Sequence, residues 1–183
     1  LNVNVSGRQL ELGPQFVETV RAVLEEVDAD PSMLKLEITE SVLMADADAA
    51  TATLRAIRAL GVELAIDDFG AGYTSLNYLK HFPVSTLKLD RSFVHGLEHD
   101  AADAAIADAV VRLAHSLGVS VTAEGVELAA QYEILRSFGC DKGQGYWFAR
   151  PAPADEVAAV IRGMQPAVEV RGGRRSRTRT PST

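Results

Sequence analysis

Residues 63–76 read ELAIDDFGAGYTSL, an apolar run through Leu64, Ala65 and Ile66 that delivers two adjacent carboxylates, Asp67 and Asp68, and then a loop holding Gly70 and Gly72. A strand of that composition carries Asp67 to the rim of a core, where an unpaired carboxylate is costly unless a cation or a donor meets it. Magnesium or manganese, hard ions that prefer oxygen ligands, would meet it well. The same pair also fits a plainer role, capping the turn before a helix that starts near Thr74. The glycines suit a mobile loop or a close backbone approach to a ligand. The letters DFG do not signal a kinase, because no HRD-type catalytic loop occurs in the chain.

Working outward, short apolar runs alternate with amphipathic stretches. Strands are expected at Leu1–Val5, Met33–Thr39, the run ending at Asp67, Thr86–Asp90, Ser120–Ala123 and Gly143–Phe148. Between them, Pro14 opens a helix with Phe16, Val20, Val23, Leu24 and Val27 at helical spacing, and a second carries Leu54, Ile57 and Leu60 before Gly61. Further helices are expected at Thr74–His81, at Ala101–Leu117 with Ile106, Val110, Leu113 and Leu117 on one side, at Leu128–Phe138 and at Ala154–Met164. Crossovers of this length imply parallel strands with helices outside.

Each of the six strands ends on or near a polar residue: Asn4, then Glu37 and Glu40, Asp67 and Asp68, Lys88 and Asp90, Glu124, and Gln144 in the sixth. In a parallel barrel those ends share one rim, where barrel enzymes assemble their sites. The set offers carboxylates for one or two metals, an amide ligand, and a lysine placed to orient or deprotonate water, which suits two-metal hydrolysis of a phosphoester.

At 183 residues, 47% apolar and 23% charged, the chain has the composition of an ordinary soluble domain with a substantial core. It has no run of eighteen apolar residues and no signal-peptide pattern, so a cytoplasmic location is expected, alone or as the cytosolic part of a larger membrane protein. Arg171, Arg174, Arg175, Arg177 and Arg179 fall in a Gly, Ser and Thr-rich tail, residues 166–183, read as disordered. Without those five, 13 basic residues face 25 acidic ones, so residues 1–170 carry 13 − 25 = −12. An acidic body argues against specific DNA binding.

The remaining reactive side chains read as ordinary packing or surface. Cys140 stands alone and reads as a small buried residue. His81, His95, His99 and His115 lack paired metal-ligand spacing at a strand end and read as surface residues. Trp147 and Phe148 read as packing residues, Tyr146 as either core or a platform for a purine, and Glu127 as the start of a helix.

VNVS, KLEITE, AIDDFGAGYTSL, TLKLD, VTAEGVE and GCDKGQGYWFARP, in this order over residues 1–162, resemble successive motifs of the EAL-domain phosphodiesterases. The resemblance implies a modified TIM-type (β/α)8 barrel, here incomplete with about six strands, forming one domain over residues 1–165. It implies hydrolysis of cyclic di-GMP to linear pGpG with magnesium or manganese, two ions in all. By motif, Asn4, Glu37, Asp67, Asp68 and Glu124 resemble the metal ligands, with Glu124 also counted as catalytic. Lys88 resembles the lysine beside the attacking water, Asp90 its acidic neighbour at the substrate, Gln144 a residue lining the substrate site, and Glu40 the glutamate that anchors the DDFGAGY loop. Implied partners are cyclic di-GMP, a second copy meeting it through the barrel, and sensor or cyclase domains upstream.

Ala71 and Thr74 stand where many members carry threonine and serine, and no Glu-Ala-Leu triplet occurs. The chain opens on what resembles the third strand, so roughly 80 residues of a barrel of about 250 are expected to be missing and the fragment itself to be inactive. Two other classes stay open: a non-catalytic cyclic di-GMP-binding or interaction module of the same fold, and another barrel metalloenzyme of enolase type.

Overall fold

The computed structural model describes residues 1–70 and 76–163. Six parallel strands, β1 (Asn2–Asn4), β2 (Lys35–Thr39), β3 (Glu63–Phe69), β4 (Thr86–Leu89), β5 (Ser120–Ala123) and β6 (Lys142–Gly143), pair in sequence order like successive staves of a barrel. Helices α1 (Gly7–Glu11), α2 (Pro14–Glu26), α3 (Glu40–Ala45), α4 (Ala47–Ala59), α5 (Leu76–Leu79), α6 (Arg91–Gly96), α7 (Ala101–Ser116) and α8 (Ala129–Phe138) make the connections. The chain divides after Arg150; beyond it lies α9 (Val157–Gly163). Among the described residues no helix is long and apolar enough to cross a membrane. The Arg-rich tail, Met164 and the expected helix start at Thr74 fall outside the described residues.

The two faces of the sheet differ in chemistry because side chains alternate along a strand. Leu36 and Ile38, Leu64 and Ile66, Leu87 and Leu89, and Val121 and Ala123 are all buried in one apolar cluster. That cluster also holds Phe16, Val17, Val20 and Leu24 of α2, Leu54 and Ile57 of α4, and Ala107, Val111 and Ala114 of α7. The alternate residues make a polar layer near the strand starts: Lys35 Nζ donates to Thr86 Oγ1 at 2.9 Å, and Thr86 Oγ1 lies 3.2 Å from Ser120 Oγ. Glu63 sits 3.4 Å from the same Lys35 nitrogen. One step further along the strands is the site described below.

Four expectations are corrected. The sixth strand is two residues long, not Gly143–Phe148: at Gly145 the chain lies so close to Val126 that a Cβ would meet its backbone at 2.2 Å, and residues 146–148 form a turn. The buried stripe of α7 is Ala107, Val110, Val111 and Ala114, leaving Ile106 and Leu117 exposed, because alanines let the helix approach closely. The stripe of α2 takes in Val17, while Val23 and Val27 face outward. Phe148 packs edge-on against Tyr132 at 6.0 Å between ring centres, but Trp147 is exposed, as is Tyr146, whose ring Arg150 covers at 4.9 Å.

Candidate active site

Glu37, Lys88 and Glu124 come from three different staves, and β3 supplies Asp67 between them. Lys88 Nζ lies 2.6 Å from Glu37 Oε2, 2.9 Å from Asp67 Oδ1 and 2.7 Å from Glu124 Oε1. Three carboxylates therefore use the three donors of one ammonium. Lys88 on β4 reaches Glu37 on β2 across β3, whose Ala65 is paired with Glu37 in register. Burial alone would lower the Lys88 pKa, but the hydrogen bonds it donates to Glu124, Glu37 and Asp67 outweigh it and hold the amine above its ordinary value. The three carboxylates thus hold Lys88 as an ammonium. Burial pushes Glu124 up, against the pull of Lys88, and the nearby charges of Asp67 and Glu37 add to the rise.

Adjacent residues on a regular strand point to opposite faces, so Asp67 and Asp68 could not both serve one site there. A bulge resolves this. The β3–β4 pairing runs Ile66 to Leu87 and then Phe69 to Leu89, so two aspartates stand against the single Lys88. Asp68 takes φ 52°, a left-handed conformation that aspartate tolerates better than most residues. As a result Asp67, Asp68 and Glu124 each present an oxygen, all within 4.8 Å of one another. Burial, and then the charges of Asp67 and Asp90, raise the Asp68 pKa. Asp90 is held low: burial opposes this, but hydrogen bonds from Ser92 and one shared with Asp68 prevail. Asp90 Oδ1 also caps α6 by accepting the Ser92 N–H at 2.8 Å.

The other expected residues lie around this centre. Asn4 is exposed and pairs in register with Glu37; its side chain makes no hydrogen bond among the described residues. Gln144 is exposed just past β6, its N–H donating to Ala123 at 2.8 Å, outside the carboxylate cluster. Glu40, buried at the start of α3, accepts the Gly70 N–H through Oε2 at 2.9 Å, so it ties α3 to the beginning of the Gly70 loop. The four histidines are exposed. Cys140 is half-buried, and burial pushes its thiol up to about 11. The residue that sequence reasoning missed is Asn2, whose Nδ2 donates to Glu37 Oε1 at 2.7 Å. The alternation that puts Asn4 on the inner face puts Asn2 there too, and was the available signal.

Glu37, Asp67 and Glu124 meet Lys88, and Asp68 stands with Asp67 and Glu124, so four acidic side chains gather round one cationic one, an excess of acid. An all-oxygen donor set with that excess fits a hard divalent cation. The fold and site therefore define a parallel barrel-type chain with an acidic, metal-fitting rim.

The family model described as EAL domain matches residues 1–151, and the chain belongs to that family. The chain is 48% identical over 146 residues to the bifunctional diguanylate cyclase/cyclic di-GMP phosphodiesterase MucR of Pseudomonas aeruginosa, covering 80% of this chain and 21% of MucR. It thus spans about a fifth of that relative's length. The MucR phosphodiesterase solved as a c-di-GMP complex matches with a TM-score of 0.82 and 46% identity, over 85% of this chain and 63% of that one. The EAL domain of Mycobacterium smegmatis DcpA matches with a TM-score of 0.83 and 40% identity, over 91% and 74%. Klebsiella pneumoniae BlrP1, in a manganese/cy-diGMP complex, matches with a TM-score of 0.77 and 34% identity, over 83% and 39%.

Proposed function

We propose that this chain carries the greater part of a site that hydrolyses cyclic di-GMP to linear pGpG with magnesium or manganese. The observation that carries the reading is the convergence of Glu37, Asp67 and Glu124 on Lys88, with Asp68 added by the bulge. Its relatives support the substrate: MucR is named for cyclic di-GMP phosphodiesterase activity, and its phosphodiesterase was solved with that nucleotide. BlrP1, solved with manganese, supports the cofactor.

In this reading Glu37, Asp67, Asp68 and Glu124 hold the cations, two in number, and Asn4 adds its amide oxygen from the register position beside Glu37. Bound cations would supply a water activated at neutral pH and a positive clamp on the scissile phosphate. Lys88, fixed as an ammonium, orients that water and balances charge as the anionic substrate arrives. Asp90 keeps Asp68 in place at the start of α6, and Glu40 holds the loop that begins at Gly70. Gln144 lies at the end of β6, on the side where substrate would extend beyond β5. Pairing with a second copy through the barrel and attachment to a cyclase or sensor domain belong to the same proposal; the bifunctional name of MucR favours the latter.

The test is chromatography of cyclic di-GMP incubated with the purified full-length protein and manganese or magnesium. Formation of pGpG that stops with chelator and is lost in Lys88→Ala supports the reading. Nucleotide retained on the protein without pGpG would make this a binding module, and neither retention nor turnover would overturn the assignment.

A further inference from the structure

We infer that Asn2 is a positioning residue for Glu37, setting which of that carboxylate's lone pairs are offered to a cation; this rests on the reading of Glu37 as a metal ligand. Glu37 is buried, with both oxygens engaged: Oε2 accepts from Lys88 at 2.6 Å and Oε1 accepts from Asn2 Nδ2 at 2.7 Å. Because an ionised carboxylate only accepts hydrogen bonds, the amide must present its NH2 group to Glu37. Two donors arriving from different strands, β1 and β4, fix the rotation of the carboxylate as one donor cannot. Rotation is what matters for a ligand, since a turn of the Glu37 plane changes the direction of its lone pairs without moving its Cα.

The placement follows from the register. Asn4 pairs with Glu37, and Asn2 pairs with Lys35. Asn2 therefore reaches Glu37 along the diagonal, from two residues further down the same face. The two asparagines divide the work: Asn2 uses its amide on Glu37, while the Asn4 amide beside it makes no hydrogen bond among the described residues. Asn2 is itself exposed, so its side chain contributes little packing, and its hydrogen bond is what a substitution removes.

Partners of this kind are worth about 10–100-fold in metal affinity. Manganese binding to the full-length protein is measured by titration calorimetry for the wild type, Asn2→Leu, Asn2→Ala and Asn2→Gln, with thermal melts in chelator as a folding control. Leucine keeps the branching and heavy-atom count of the asparagine side chain without a donor, and glutamine keeps the donor one methylene further out. The expected result is about tenfold weaker manganese binding in Asn2→Leu and Asn2→Ala alike, recovery in Asn2→Gln, and unchanged melts. Wild-type affinity in Asn2→Leu overturns the inference, because the donor would then not matter. Absence of manganese binding in the wild type overturns the ligand reading of Glu37 and this inference with it, whereas wild-type binding in all variants overturns the inference alone.

Discussion

Lys88→Met tests the centre most directly, because it keeps a long flexible side chain and removes the ammonium with its charge and its three donors. Lys88 and its three partners are all under a fifth exposed, at 6% for the lysine and 7%, 14% and 19% for Glu37, Asp67 and Glu124. Removing one member of a buried ion cluster costs about 3–5 kcal/mol, since the remaining charges are left unpaired. For a domain of this size each kcal/mol lowers Tm by about 2–4 °C, so the variant should melt roughly 6–20 °C below wild type in chelator. Manganese should then raise the Tm of Lys88→Met more than that of wild type, because the added ion takes over charge balance that wild type already has.

The effect of pH on this variant has a definite sign. Without the ammonium, Glu124, already pushed up by burial, loses the pull that opposed the rise and holds its proton to still higher pH in the folded chain than in the unfolded one. The folded state then binds more protons, so its stability falls as pH rises, and the deficit against wild type should grow between about pH 5.5 and about pH 8. In wild type the raised Lys88 pKa gives stability that is fully present below the unfolded lysine value and lost only in strong alkali, so Lys88 adds no slope across that window. The measurement is differential scanning fluorimetry in chelator and in manganese at both pH values. A Lys88→Met Tm within about 2 °C of wild type in chelator at the higher pH, or a manganese gain no larger than wild type's, would refute the reasoning.

Asp68→Gly keeps the left-handed backbone, removes a Cβ penalty of about 1–2 kcal/mol and deletes the carboxylate. It should melt at or above wild type in chelator while losing manganese affinity by more than the about tenfold typical of an outer partner, as calorimetry would show. Glu40→Ala removes the acceptor of the Gly70 N–H and should lower pGpG formation by about tenfold with a cooperative melt retained; wild-type turnover would leave Glu40 as only the first residue of α3. Cys140, with its thiol pushed up to about 11, should be alkylated by iodoacetamide at least a hundredfold more slowly in the native protein near pH 8 than after unfolding in guanidinium, followed by intact mass.

Much of the architecture was written in local patterns. Alternating strands and crossovers give parallel pairing, and a polar residue at successive strand ends marks the rim. Glu37, Lys88 and Glu124 could be brought together on that ground because the first two sit at regular strand positions and Glu124 directly follows β5. Asp68 could not, since strand alternation alone would have turned it away; the register shift and φ of 52° depend on how β3 meets β4. Periodicity also misplaced the face of α7, where large residues were expected inside and small ones won because the helix lies close to the sheet. At β6 the run of aromatic letters suggested a strand, but the proximity of Val126 at Gly145 bends the chain first.

The alternation that hid Asn2 also explains how this sheet separates stability from chemistry. The helix-facing residues Leu36, Ile38, Leu64, Ile66, Leu87, Leu89, Val121 and Ala123 of β2 to β5 are apolar and buried, while the opposite face carries Asn2, Lys35, Glu37, Thr86, Lys88 and Ser120, tied by hydrogen bonds across neighbouring and next-neighbouring strands. A barrel interior filled with aliphatic side chains would bury more apolar area, yet it could not hold a lysine against three carboxylates at the rim. The lower layer, where Lys35 meets Thr86 and Glu63, keeps the inner face hydrogen-bonded beneath that centre. Folding energy comes mainly from the helix side. Substitutions on the inner face that do not leave a charge unpaired, such as Asp68→Gly or Asn2→Leu, should therefore alter metal binding and leave the melt in place. Lys88→Met leaves three carboxylates without their cation, and so should disturb both.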